Sequence, residues 1–337
     1  MTKTMKAIWY EKQGAAAEVL SESLIPIPQP GEGEIRVKLA TSGVNPSDTK
    51  VRASWGGIPM PASRVVPHND GGGVIEAVGS GVSEERIGQR VWIYEAQQHG
   101  RAFGTCAEYV VLPERFAVPL PDQASFNTAA ALGVPAMTAH RCLFADGSIQ
   151  GKTVLVAGGR GGVGQMAIQL AKWGGARVVA TVGQDEQFEQ TQRLGADIVL
   201  NYNNDHLPKE IRQATDGEGV DRIIEVAFER NLETNLSVIK PNGVIATFAS
   251  GDVDSHPKLP FYRVMLLGVT LRFVFVYLMG TSAHDDAAHD INAALADQAL
   301  DPSIGGVYPF TATGVAQAHD DLDARRFTGK AIVNIQE

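Results

Sequence analysis

The run Thr153-Val154-Leu155-Val156-Ala157-Gly158-Gly159-Arg160-Gly161-Gly162-Val163-Gly164-Gln165 carries an apolar strand into a glycine-rich turn and then into a helix with apolar periodicity. Gly159, Gly161 and Gly164 stand at the G-x-G-x-x-G spacing. Such glycines permit a tight turn, let the backbone approach a pyrophosphate, and let the helix pack closely on the strand. The pyrophosphate would sit on the N–H groups and positive dipole end of the Gly162–Trp173 helix. A glycine turn alone is a weak signal, because such turns also serve as plain loops. Here a second apolar strand, Arg177–Thr181, follows at the spacing a βαβ unit requires, so the stretch reads as a dinucleotide site.

Downstream, the candidate strands Thr153–Ala157, Arg177–Thr181, Ile198–Asn201, Arg222–Val226, Gly243–Thr247 and Thr270–Val276 are separated mostly by helical spacers. That alternation predicts a doubly wound parallel sheet with helices on both faces. Upstream the texture differs. Lys6–Tyr10, Glu18–Ser23, Glu34–Ser42, Val74–Val78, Arg90–Trp92 and Ala107–Val111 are short alternating or β-branched runs between turn signals such as Pro28-Gln29-Pro30-Gly31, which predicts a small barrel-like β domain. An Ala-rich helix, Thr128–Leu143, begins the second texture. Helices His284–Leu300 and Gly314–Asp323 and a last strand, Lys330–Ile335, close the chain and are expected to pack back on the first domain, with a substrate cleft between the domains. The expected division is 1–124 completed by 292–337, and 125–291.

At 337 residues the chain is long enough for two cores. A net charge of −9 leaves no basic excess for a general nucleic-acid or anionic-membrane surface. Cys106 and Cys142 are too few for a disulfide framework or a four-cysteine zinc site, and read as reduced thiols. Met1 to Lys6 lacks an apolar signal core, and the most apolar run, Val264 to Met279, is interrupted by Gly268 and Arg272, short of the about 18 apolar residues a membrane helix needs. A cytoplasmic location is expected, without a membrane or nucleic-acid partner.

Several further segments carry a family resemblance: Ser42-Gly43-Val44-Asn45-Pro46-Ser47-Asp48, Gly73-Val74-Ile75-Glu76-Ala77-Val78-Gly79, Gly104 to Val111, Gly159 to Ala171, Leu194-Gly195-Ala196-Asp197 and Gly329-Lys330-Ala331-Ile332-Val333. Over essentially its whole length the chain resembles the zinc-less quinone oxidoreductase (zeta-crystallin-like) branch of the medium-chain dehydrogenase/reductase superfamily. The resemblance implies a GroES-like β-rich catalytic domain beside a Rossmann nucleotide domain, and reduction of quinones or other activated carbonyl compounds by a nicotinamide cofactor.

Zinc-dependent relatives place Cys, His and Cys around the catalytic ion, and the resemblance sets Asn45, Asn69 and Val134 at those positions. None is a good substitute. His68 reads as a hydrogen-bonding loop residue, and the segment Tyr94 to Thr105 lacks the cysteines of the zinc enzymes' structural lobe. His284 and His289, among Asp285, Asp286 and Asp290, do not stack on one helix face and read as a solvated acidic helix start. No metal is expected. The carbonyl must then be polarised by hydrogen-bond donors. The catalytic candidates are Asn45, placed by the resemblance at the nicotinamide end, and Lys50, which stands where several relatives carry Tyr. Asn45 equally reads as shaping the turn before Pro46, and Lys50 as facing solvent.

Val182 stands where an NAD enzyme puts an acid, about 20 residues past the glycine loop, which removes repulsion against a 2′-phosphate. The resemblance then implies NADPH, with Tyr202 and Arg325 or Arg326 near the phosphate, although Gln184 and Gln187 replace the family's Ser and Lys. Arg160 could supply the missing charge or point into water. The resemblance further implies cofactor contacts at Asn45, Thr138, Gly159, Gly161, Gly162, Val163, Gly164, Gly183, Gln184, Phe248, Ser250 and Phe273. The expected substrate is a small quinone or enone. The alternatives are an enone or enoyl double-bond reductase with little quinone activity, and a non-catalytic NADPH-binding protein of crystallin-like or RNA-binding kind. The apolar segment Thr270 to Tyr277, last of the strands, is expected at a sheet edge where a two-fold homodimer would pair.

Overall fold

In the computed structural model, which describes residues 3–336, the apolar runs of the second half pair as one six-stranded sheet. Across the sheet the order is Ile198–Asn201, Arg177–Val182, Thr153–Val156, Val220–Glu225, Ile239–Thr247 and Thr270–Phe273, every neighbour parallel. This is the 3-2-1-4-5-6 order of a doubly wound dinucleotide fold. Val154, Val156, Val178, Val179, Ile223, Ile224 and Ile245 are all fully buried, as expected of parallel strands covered on both faces. The helix after the glycine turn spans Gly162–Trp173, as read from the sequence.

The chain divides into two units, Pro135–Asp301 and the remainder. Met1 and Thr2, within the segment read as lacking a signal core, and Glu337 lie outside the described residues. In the remainder, seven strands form one sheet. Its path runs Ile304–Pro309, Lys330–Asn334, Glu34–Val44, Asp70–Val78, Arg90–Ile93 and Ala117–Pro119, with Tyr109–Pro113 also paired to Glu34–Val44. Thr4–Trp9 and Ser21–Pro26 form a separate antiparallel pair. Glu34–Val44 is 11 residues long and bonds three other strands, so it sets the register of its unit.

Several expectations are corrected. Glu18–Ser23 is not one strand: Ala16–Val19 closes a helical turn first, in keeping with its alanines, and the strand starts at Ser21. Thr270–Val276 stops as a strand at Phe273, and Val276–Leu278 turns as a 3₁₀ helix. The helix read as His284–Leu300 runs Thr281–Ala296, and its start is not simply solvated, because His284 is buried and His140 Nε2 lies 2.8 Å from Asp290. A helix at Pro46–Arg52 was not anticipated, although its signal was present: Asn45 is the N-cap, Pro46 opens the helix, and Asp48 reaches back to the Asn45 N–H at 2.8 Å. The strands Ile304–Pro309 and Ala117–Pro119 were also missed; both lie at the ends of the path, and the second has only three residues.

Candidate active site

In the unit Pro135–Asp301, the nucleotide candidates gather at the carboxyl ends of the strands. Gly159 to Gly164 follow Thr153–Val156, Gly183 and Gln184 follow Arg177–Val182, Tyr202 follows Ile198–Asn201, Phe248 and Ser250 follow Ile239–Thr247, and Phe273 ends its strand. The strand order reverses between Thr153–Val156 and Val220–Glu225, which is where open α/β sheets bind ligands. Thr138 is buried on the helix Phe126–Phe144.

The turn is shaped by close approach. A Cβ on Gly164 would lie 2.3 Å from the Gly158 carbonyl oxygen, so helix and turn pack to a distance that only glycine allows. Gly159 N–H donates to the Thr181 carbonyl (2.8 Å) and Gln165 Nε2 donates to the Arg160 carbonyl (2.9 Å), lacing the turn to the next strand and to its own helix. The first N–H groups of the 12-residue helix Gly162–Trp173 open onto this cradle, which fits a dinucleotide pyrophosphate. Arg160 is half-buried, and this partial burial lowers its guanidinium from its ordinary range.

At the next strand ends, Tyr202 lies over Gly183 so closely that a Cβ there would stand 2.4 Å from the phenol oxygen. Val182 is buried. Two neighbours missed in the sequence complete the corner: Asn203 Nδ2 donates to the Gly183 carbonyl (2.9 Å), and Asn201 Nδ2 donates to Asp185 (2.8 Å). Phe248, Ser250 and Phe273 line a cavity of about 650 Å³ together with Phe228, Arg141 and Leu278.

In the other unit, Asn45 is buried and its amide closes a triangle. Nδ2 donates to Asp70 Oδ2 (2.8 Å), Lys330 Nζ donates to the same oxygen (2.7 Å), and Lys330 Nζ donates to Asn45 Oδ1 (2.5 Å). Asp70 Oδ1 accepts the Val134 N–H (3.0 Å). Asn69 Nδ2 donates to Asp48 Oδ1 (2.9 Å), and the Gln97 N–H donates to Asn69 Oδ1 (3.2 Å). Burial first and the Asp70 charge second push the Asp48 carboxyl up to about 7, against the pull of Lys330. Lys330, Asp70 and Asp48 were not singled out in the sequence; the available signal was a lysine opening the otherwise apolar strand Lys330–Asn334. Lys50 holds its ammonium 4.1 Å above the Trp55 ring. Arg325 is exposed, and Arg326 is paired with Asp321 at 2.6 Å.

Residues 31–122 match the alcohol dehydrogenase GroES-like domain and residues 162–293 the zinc-binding dehydrogenase domain. A quinone oxidoreductase from Sus scrofa is 30% identical over 334 residues, covering 98% of each chain. The chain belongs to the quinone oxidoreductase branch of the medium-chain dehydrogenase/reductase superfamily. Among solved structures, a mycobacterial protein in complex with NADPH is 29% identical to this oxidoreductase with a TM-score of 0.83, covering 98% of this chain and 99% of the other. An NAD-dependent alcohol dehydrogenase is 30% identical with a TM-score of 0.84, covering 98% and 100%.

Among the described residues no group of three or more His, Cys, Asp or Glu side chains is arranged to hold the zinc in the name of the matched family. At the positions that the resemblance sets for its ligands stand two amides and a valine, and both amides are engaged: Asn45 with Asp70 and Lys330, Asn69 with Asp48 and the Gln97 N–H. Zinc requires thiolate, imidazole or carboxylate, and a resident ammonium beside Asn45 repels a second cation.

Proposed function

We propose that this oxidoreductase is a zinc-independent, NADPH-dependent reductase of quinones and α,β-unsaturated carbonyl compounds. The observation that carries the reading is the pairing of a glycine cradle shaped for a dinucleotide with a catalytic-domain centre whose ligand positions are amides held by an internal ion pair. The quinone oxidoreductase from Sus scrofa and the NADPH-bound mycobacterial neighbour support it. Bound in the cradle, NADPH would supply a hydride to the carbonyl system, and water supplies the proton that completes the two-electron reduction.

The chain's own part is to bind and orient. Helix Gly162–Trp173 holds the pyrophosphate, and Arg160 with Tyr202 faces the 2′-phosphate, while Asp185 near Gly183 limits the preference over NADH. Asn45 spends one amide proton on Asp70, and the second is the donor for the substrate oxygen. The buried thiols of Cys106 and Cys142 fit a reducing, cytoplasmic setting. Among the described residues the strand Thr270–Phe273 ends the sheet order, and the exposed Phe273, Phe275 and Leu278 support a homodimer formed at this edge.

The test is purified protein screened for NADPH-dependent reduction of ortho- and para-quinones, short enones and enoyl compounds, with and without chelator. Turnover of quinones and enones that survives chelation, with no oxidation of simple alcohols, supports the reading; without zinc, nothing lowers the pKa of an alcohol's hydroxyl. One zinc per chain lost together with activity would sink it. NADPH binding without turnover of any of these would favour the non-catalytic reading.

A further inference from the structure

The geometry points to Lys330 as the positioning residue of the catalytic domain, an internal cation that sets the Asn45 amide in one orientation through its pair with Asp70. This assignment rests on the proposal that Asn45 donates to the substrate oxygen.

An asparagine amide has two nearly isosteric orientations, and only one of them works as a donor toward a given point. Here the surroundings are not symmetric. Oδ1 faces an ammonium and Nδ2 faces a carboxylate. Flipping the amide would set NH₂ against Lys330 and the carbonyl against Asp70, two repulsive contacts in place of two charge-assisted bonds. Both charges are buried, Lys330 at 5% and Asp70 at 0% side-chain exposure, so water does not weaken the preference. Accepting from the Lys330 ammonium at Oδ1 also draws electron density from the amide and strengthens the remaining N–H of Asn45 as a donor.

The pair also gathers the loops that a metal would gather in zinc relatives. Asp70 accepts from Asn45 and from the Val134 N–H, and Asp48 joins Asn69 to the Asn45 backbone N–H. All three positions that carry ligands in those relatives are thereby tied to one hydrogen-bonded centre whose cation is a side chain of the chain itself. Lys330 Nζ is committed to Asn45 Oδ1 and Asp70 Oδ2, so it acts through Asn45.

The experiment compares K330M, K330R, the double variant K330M/D70N and N45A. It measures kcat and KM for a quinone, KM for NADPH, the thermal midpoint, and the two side-chain amide protons of Asn45 by nitrogen–proton NMR, assigned by their loss in N45A. Because the amide is the substrate's donor, K330M is expected to lower kcat roughly tenfold or more, with KM for NADPH unchanged. K330R restores part of kcat, since a guanidinium can donate to both partners. K330M/D70N removes both charges together and recovers the midpoint, yet stays slow, which separates positioning from folding. In the NMR spectrum the well-separated amide protons of the wild type draw together in K330M, a readout that needs no turnover. Wild-type kcat in a folded K330M or K330M/D70N, or unmoved amide signals, overturns the role of Lys330 even where N45A is slow. Wild-type kcat in N45A overturns the reading of Asn45, and the role of Lys330 with it.

Discussion

His68 and His319 join ring to ring, Nε2 to Nε2 at 2.8 Å, both fully buried. Their protons are fixed by what flanks them. Arg52 Nε donates to His319 Nδ1 (3.3 Å), so His319 carries its proton on Nε2 and gives it to His68. His68 therefore donates from Nδ1 to Ser42 Oγ (2.8 Å), Ser42 to Thr105 (2.7 Å), and Thr105 to the Asp70 carbonyl (2.6 Å). The chain starts at a guanidinium that does not release its proton, so it is a fixed rail under the Asp70 loop. It also holds His68 at φ 80°, a left-handed conformation that few non-glycine residues adopt.

A pH dependence of stability follows. Burial holds His68 well below its ordinary range and, with Arg52, holds His319 at about 3. The unfolded histidines take up protons as pH falls through about 6.5, while the folded ones do not, so their stabilisation is complete above that pH and drains away below it. Asp48, raised to about 7, works in the opposite direction. The comparison that isolates His319 is His319→Gln, whose amide can keep both hydrogen bonds. Between pH 6 and 4, wild type should lose about 1.4 kcal/mol per pH unit more than the variant in denaturant titrations, the linkage value for one proton. Parallel pH profiles would show that His319 is protonated in the folded state.

On the proposed reading, cofactor choice turns on Arg160 and Asp185. Arg160→Ala should weaken NADPH roughly tenfold or more and leave NADH nearly unchanged, the size of a lost charge-assisted contact to phosphate. Asp185→Asn should strengthen NADPH, because its carboxylate is linked to Gly183 through Asn201 and Asn203. Fluorescence titration of both cofactors checks this. Equal losses in Arg160→Ala would show that the arginine only shapes its loop.

Lys50→Met should leave kcat for enones at the wild-type value while removing a cation–π contact worth about 0.5–1 kcal/mol of stability. Steady-state kinetics beside thermal unfolding decide it. A slowed enone reduction would return the ammonium to the reaction.

The proposed dimer edge is tested at Phe275 and Leu278, which are exposed, and not at Val274 and Val276, which are buried in the unit's own core. Light scattering should give a dimer mass for wild type and a monomer for Phe275→Glu with Leu278→Glu. A wild-type monomer at micromolar concentration would refute the edge pairing. The helix Thr281–Ala296 packs on Gly162–Trp173, where Trp173 donates to Asp297 at 2.9 Å.

The nucleotide half was legible because its determinants are local. A buried parallel strand announces itself by a continuous apolar run, the glycine turn by residues only that backbone needs, and the helix Gly162–Trp173 by its periodicity. With six such units in series, the right-handed crossover rule leaves little freedom, and the order 3-2-1-4-5-6 followed. Element ends were less legible. Whether Val274 to Val276 continues a strand depends on whether a neighbour is there to bond it, and beyond Val274 the neighbouring strand Ile239–Thr247 has ended.

The sequence by itself determined the fold class and the cradle for a dinucleotide, because each is a property of residue type at short spacing, whereas only the family resemblance set Asn45, Asn69 and Val134 at the ligand positions of zinc relatives. Only the tertiary structure decided what stands in that place. Asn45, Asp70 and Lys330 are separated by 25, 260 and 285 positions, pairwise, and no periodicity links them. Their meeting is produced by the antiparallel pairing of Glu34–Val44 with both Asp70–Val78 and Lys330–Asn334, which sets Gly43 opposite Asp70 and Val44 opposite Ala331. A buried charge is tolerable only with its partner in place, and the partner of Lys330 is chosen by sheet register.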